Sequence, residues 1–173
     1  ATSHWVYVGG THNGAGAVHC LKMDAATGDL TQPRHLASPV ATLPGGAPWF
    51  ALSPSGQSLY VSVRAGEGRE NNYCAAFAIN RGSGQLSQLG DVASTVLPGS
   101  AHCSVSPDGR TLVASMMSGG GAASFAIATD GKIKGEAQSV IELPGGGSFV
   151  RMTRVSIYYM YHSVSAAAEC QSY

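Results

Sequence analysis

Apolar residues in this chain come in runs of four to seven, each stopped by glycine, proline, aspartate or asparagine. Such runs are too short and too closely punctuated for the 3.6-residue period of an amphipathic helix, so the pattern predicts strands and no helix. Strands are expected at Trp5–Gly10, Ala17–Met23, Trp49–Leu52, Ser58–Val63, Cys74–Ile79, Cys103–Val105, Thr111–Met116, Ala122–Ile127 and Ala137–Leu143, with a weaker one over Leu86–Val92. Ser53-Pro54-Ser55-Gly56 and Ser106-Pro107-Asp108-Gly109 read as hairpin turns. In both, proline fixes φ at the second turn position and glycine supplies the positive φ two residues on. The expected core is Trp49, Phe50, Leu52, Leu59, Val61, Phe77, Ile79, Val105, Leu112, Phe125 and Ile127.

This pattern is written more than once. The stretch from Pro44 to Ser62 returns from Pro98 to Ser115, and both Pro54 to Pro107 and Gly56 to Gly109 are steps of 53 residues. Ala75–Ile79 recurs as Ala123–Ile127, and the turn phrase Asp24–Leu30 recurs as Asn80–Leu86 and, shorter, as Asp130–Ile133. Repeats of this length, built from short apolar runs and turns, indicate an all-β radial or stacked architecture, here with about three four-stranded units over residues 1–147. After Pro144-Gly145-Gly146-Gly147 the hairpin signature is missing. Residues 148–173 are therefore expected to be a divergent segment, either an atypical cap or the altered end of a longer chain. Within it Ile157–Tyr161 has strand composition and Ser163–Tyr173 reads as a tail.

Composition narrows the function. With 173 residues the chain is long enough for one domain with a core. Only 12% of residues are charged and 23 are glycine, as suits a sheet protein with many tight turns and not a disordered chain. Ten acidic and ten basic residues balance, so nothing favours nucleic acid or an anionic membrane surface. There is no apolar run of 18 residues to span a bilayer, and no charged-then-apolar leader. The first residue is Ala1, which leaves a removed leader or trimmed methionine open. The four cysteines (Cys20, Cys74, Cys103, Cys170) form no CxxC pair and read as buried free thiols, which implies a cytoplasmic setting.

Much familiar chemistry is absent. The chain has no Gly-x-Ser-x-Gly elbow, Walker A loop, G-x-G-x-x-G or H-E-x-x-H. Its six histidines lack metal-ligand spacing, so no metal or cofactor is expected. The glycine runs at 45–46, 119–121 and 145–147 fall where the repeat needs turns. His102 stands out because it occupies the position where the preceding copy has Trp49. Two readings fit it: a titratable group at the inner edge of a unit, where ligands bind, or a partly exposed histidine at a strand end. Arg64 continues a strand directly, unlike Glu67, Arg69 and Glu70 in the solvated loop after it, and is the candidate to hold an anionic substrate group.

The ordered phrases Tyr7-Val8-Gly9-Gly10-Thr11, Leu52-Ser53-Pro54-x-Gly56-x-x-Leu59-Tyr60-Val61, Ala76-Phe77-x-Ile79 through Gly84-x-Leu86, and His102-Cys103-Ser104-Val105-Ser106-Pro107-Asp108-Gly109-Arg110 resemble the seven-bladed β-propeller lactonase family over residues 5–145. That family includes one type of 6-phosphogluconolactonase and the fungal 3-carboxy-cis,cis-muconate lactonizing enzymes. The resemblance implies a partial propeller that opens a small sugar-derived or carboxylated lactone without a metal. His102 matches the family's inner-strand histidine and would be the catalytic residue, with Arg64 binding substrate. The family's further catalytic arginine and glutamate come from later blades. Val63-Arg64 stands where the family often has Asn-Glu, and Met116-Met117 where it often has Asn-Tyr. The competing reading is a non-catalytic propeller fragment serving as a binding scaffold. About three blades would also leave two apolar blade faces open, from which self-association is expected.

Overall fold

The computed structural model describes residues 3–46, 49–65, 72–118, 120–143, 149–152 and 157–160. All regular structure among them is β. The chain opens with a long hairpin, β1 (Ser3–His12) and β2 (Ala15–Asp24), paired without a slip from Ser3 with Asp24 to His12 with Ala15. Asn13 and Gly14 close it with φ of 50° and 80°, the left-handed pair that a two-residue hairpin needs. Two short strands, β3 (Leu30–Thr31) and β4 (Ala41–Leu43), finish this first sheet by pairing with β2.

The second sheet is a meander of β5 (Trp49–Leu52), β6 (Ser58–Arg64) and β7 (Asn72–Ile79), edged by β8 (Leu86–Gln88) and β9 (Ala93–Ser94). The third repeats it with β10 (Ser100–Val105), β11 (Thr111–Met116), β12 (Gly121–Ala126) and β13 (Ser139–Glu142). A last hairpin, β14 (Phe149–Met152) with β15 (Ile157–Met160), follows, and β14 packs against β10 and β11. The first strands of successive sheets lie side by side, β5 against β10 and β10 against β14. These are the inner strands of successive propeller blades. By repeat position β1 and β2 match β6 and β7, so the first blade has no described strand in the inner position.

The 53-residue step survives folding to the residue. Leu52 pairs with Leu59 as Val105 pairs with Leu112, and Trp49 with Ser62 as His102 with Ser115. Both hairpin turns form as expected: Gly56 N donates to Ser53 O at 2.8 Å and Gly109 N to Ser106 O at 2.9 Å, both glycines at positive φ. The expected strand over Leu86–Val92 shortens to β8, β9 forms just beyond it where no strand was expected, and Ala137–Leu143 shortens to β13.

The core lies between the blades and falls into two clusters. Val18 and Cys20 of the first blade meet Leu59, Val61 and Phe77 of the second. Tyr60, Cys74 and Ala76 of the second meet Leu112, Phe125 and Ile127 of the third. Each fully covered Leu, Val or Phe contributes about 1.5–3 kcal/mol. Two expected core residues are not there: Trp49 is 47% exposed and Leu52 56%. They sit at the two ends of β5, an inner strand of four residues that turns only its middle toward the seams. Phe50, Ile79 and Val105 are half-buried at the cluster margins.

A tyrosine pins each seam. Tyr7 of β1 donates its hydroxyl to Gly84 O at 3.0 Å, and Tyr60, one repeat later, donates to Gly131 O at 2.9 Å. Trp5 Nε1 adds a bond to Arg81 O at 2.7 Å. Gly84 has to be glycine: its φ is +78°, and a Cβ there would lie 2.7 Å from the Trp5 ring.

Candidate functional site

His102 lies near the start of β10 and Trp49 at the start of β5, so the register that aligns the blades also brings these two rings together. Their centroids are 6.0 Å apart with planes at 54°. His102 is half-buried, with Nδ1 turned into the protein, while the Trp49 indole stands in the open. The pairing slips by one residue between Ser100 and His102, a bulge that leaves Ala101 out of the ladder and re-aims the side chain after it.

A buried polar cluster fixes the start of β10. Ser100 N donates to Asn72 Oδ1 at 3.0 Å, and the Ser100 and Ser62 hydroxyls bond each other. Ser62, Asn72, Ser100 and Ser115 are all buried. Polar groups in such a place need partners, and satisfied ones hold a single geometry. The backbone leading to His102 is thereby tied to β6 and β7 of the neighbouring blade. Two thiols lie close by and are inert. Burial pushes Cys74 up to about 12 and Cys103 well above the ordinary thiol range, so neither offers a thiolate at neutral pH. Cys20, Cys74 and Cys103 are buried and unbridged, and Cys170 lies outside the described residues.

Arg64 is the last residue of β6, two positions beyond Ser62, the partner of Trp49. It therefore sits at the same end of the second blade as Trp49, and at the same end of its blade as His102 is of the third. Its carbonyl accepts Gly46 N at 2.7 Å, and a Cβ on Gly45 would lie 2.7 Å from Ala65, so the Pro44–Gly46 turn clamps the backbone here. The glycine pair 45–46 is a turn, as its position in the repeat required. Arg64 is half-exposed. Glu67, Arg69, Glu70 and the glycines 145–147 lie outside the described residues.

The backbone positions of His102, Trp49 and Arg64 thus lie at the same end of neighbouring blades, from which an imidazole, an exposed indole and a guanidinium start. Such a set can take up a proton, cover the flat side of a small ring and hold an anion. Sequence reasoning placed Trp49 in the core and passed over Ser62, Asn72 and Ser100. A signal for Trp49 existed, since it is the repeat partner of His102. Asn72 had none, because an asparagine pair between a loop and a strand looks like any turn.

A cleft of about 1070 Å³ lies at the opposite end of the seam between the second and third blades. The two hairpin turns line it with Arg81, Arg110 and Lys134, and neither His102 nor Arg64 borders it. Among the described residues there is no group of three His, Cys, Asp or Glu placed to hold a metal ion, and no helix long and apolar enough to cross a membrane.

Comparison with known proteins agrees with the architecture. In solved structures the chain is similar to a protein of Bacteroides fragilis NCTC 9343 assigned as a 6-phosphogluconolactonase, with 23% identity, a TM-score of 0.65, and coverage of 82% of this chain and 36% of that one. It is also similar to a periplasmic gluconolactonase of Pseudomonas aeruginosa, with 19% identity, a TM-score of 0.63, and coverage of 81% and 39%. At these identities the likeness establishes the fold, and the chain spans about two fifths of the length of these neighbours. A search of curated proteins finds no match. The model of one family, the seven-bladed β-propeller lactonases, matches residues 5–152. A paired register repeated across blades, a histidine at an inner strand and a family match over most of its length place this chain in the seven-bladed β-propeller lactonase family.

Proposed function

We propose that this protein hydrolyses a small sugar-derived or carboxylated lactone at the rim that carries His102. The observation behind this is the repeat itself: where one inner strand begins with an exposed tryptophan, the next carries a histidine whose ring stands tilted beside it. In the reaction, neutral His102 takes a proton from water as its oxygen attacks the lactone carbonyl. The ring C–O bond then breaks, the His102 imidazolium gives its proton to the departing ring oxygen, and an open hydroxy acid leaves. Arg64 holds the phosphate or carboxylate of the substrate, and Trp49 covers the apolar side of its ring. The names borne by the structural neighbours support sugar lactones as the class. The unbridged thiols support a reducing, cytoplasmic setting.

The test is hydrolysis of δ-gluconolactone and of its 6-phosphate at constant pH. His102→Ala should lower the rate by about 10²–10⁴-fold, the usual worth of general-base help. Arg64→Ala should raise KM for the phosphorylated lactone more than for the neutral one, with kcat little changed. A His102→Ala rate equal to wild type overturns the assignment. A second reading, a propeller scaffold without activity, draws on Val63-Arg64 and Met116-Met117 standing where the family often has Asn-Glu and Asn-Tyr. It predicts no hydrolysis by wild type above the rate in buffer.

A further inference from the structure

The seam between the second and third blades carries charge that the seam before it lacks. Its end away from His102 opens as the cleft of about 1070 Å³, where the two hairpin turns meet and a Cβ on Gly109 would lie 3.5 Å from Pro54. Arg81, Arg110 and Lys134 border it, three of the chain's ten lysines and arginines. The repeat does not require them: at the seam between the first and second blades the same positions hold Ala25, Gln57 and Ser87. The backbone there is bonded alike, with Ile79 N on Gln57 O at 2.9 Å as Ile127 N is on Arg110 O at 2.8 Å. The fold therefore forms without these cations. Nor is their charge spent inside the protein. Arg81 gives one N–H to Ser55 O, and among the described residues the Arg110 guanidinium and the Lys134 ammonium make no hydrogen bond or salt bridge. Two carboxylates border the cleft, and each is bound into its own turn. Asp108 accepts from Ser106 Oγ and from Arg110 N at 3.1 Å; Asp130 accepts from Lys132 N at 3.1 Å and pairs with Lys132 Nζ at 3.2 Å. These bonds hold both below the usual carboxylate range. Four cations against two carboxylates leave the cleft two positive charges in excess, and such a cleft concentrates anions.

We propose that this cleft is a binding site for the phosphate ester of a small polyol, with Arg81, Arg110 and Lys134 holding the phosphate and Gln57, Thr129 and Gln138 the hydroxyls. Guanidinium groups match phosphate oxygens two at a time, which suits a tetrahedral dianion. The two amides and the hydroxyl border the same cleft, and among the described residues their side chains make no hydrogen bond, so they supply both donors and acceptors for a polyol. Ala78, Ile79, Ala126 and Ile127 back the cleft with the apolar surface that a carbon skeleton needs. A nucleotide fits less well, because the one aromatic ring that borders the cleft, Tyr60, is only 1% exposed and offers a base no face to stack on. A bare phosphate would leave the amides and most of the volume unused. The ligand is held here and not turned over, since His102 lies at the other end of the seam. The proposal stands whether or not the rim is catalytic.

The probe is glucose 6-phosphate, which is no lactone, titrated onto the full chain labelled with nitrogen-15, with glucose and inorganic phosphate titrated alongside. Saturable amide shifts are expected at Gly109, Arg110, Gly131 and Lys134, and none at Ser100–Cys103 near the rim. Glucose should give no shift, and inorganic phosphate should bind more weakly than the ester. Arg110→Gln and Lys134→Ser restore the residues of the preceding seam, so the chain should keep its unfolding midpoint while each change weakens binding by about tenfold. Arg64→Ala should bind the probe as wild type does. Four results overturn the proposal. One is no saturable shift up to about 10 mM, where a complex of millimolar affinity would be mostly formed. The others are inorganic phosphate binding as tightly as the ester, equal binding by the doubly substituted chain, and shifts centred on the rim that Arg64→Ala removes. If the substituted chains do not fold, the shift map of the wild-type chain decides by itself: shifts at the four cleft amides with the ester preferred support the site, and any other map overturns it.

Discussion

Trp49 and His102 hold one position in two blades, each facing a serine that the neighbouring strand buries completely. One step further along, the blades differ in depth: Phe50 is half-buried, while Cys103 is sealed against the third blade's core. On the next strands the positions agree again, Leu59 with Leu112 and Phe77 with Phe125 all buried. The register is therefore carried by the middle strands, which lose the most apolar surface to the seams. Inner-strand ends bury little, so they can exchange an indole for an imidazole at small cost to the fold. Chemistry can vary there because stability is held elsewhere.

That division can be broken by experiment. Phe125→Ala should cost about 3–5 kcal/mol, since a fully buried ring leaves a cavity that neighbours fill only partly. Denaturant midpoints check it, and a loss below about 1 kcal/mol would place the register elsewhere. His102→Trp, which makes the third blade copy the second, should leave the midpoint within about 1 kcal/mol of wild type while removing the proposed hydrolysis. A collapse in stability would show that the rim position also carries the fold. Tyr60→Phe keeps the ring and removes the bond to Gly131, so about 1 kcal/mol should be lost.

A smaller difference between the same blades depends on pH. Tyr73 of the second blade donates to Pro44 O at 2.7 Å, and burial pushes its hydroxyl up to about 12; the third blade has Gly121 in that place. An unfolded tyrosine loses its proton near pH 10. Between about 10 and 12 the folded state thus binds the extra proton, and the stability present below 10 declines as pH rises through that window. Unfolding midpoints at pH 9, 10 and 11 should fall less steeply for Tyr73→Phe. The least effect belongs to Leu52→Ser: at 56% exposure it should stay within about 0.5 kcal/mol of wild type, despite the apolar run that contains it.

Short apolar runs, Ser-Pro-x-Gly turns and a 53-residue step are properties of the chain alone, because strand period and turn chemistry are local. They were enough for an all-β repeat class, for its middle strands and for His102 as the odd residue in its series. The Asn13-Gly14 hairpin was equally local and was there to be read. Burial was not. Trp49 and Leu52 carry the same apolar signal as Leu59 and Val61, and only the packing of one blade on another covers the second pair and leaves the first at the rim. The tyrosine latches and the Asn72–Ser100 bond join residues 28 to 77 positions apart. No window along the chain contains them, because they come into being only when one sheet's face meets another's.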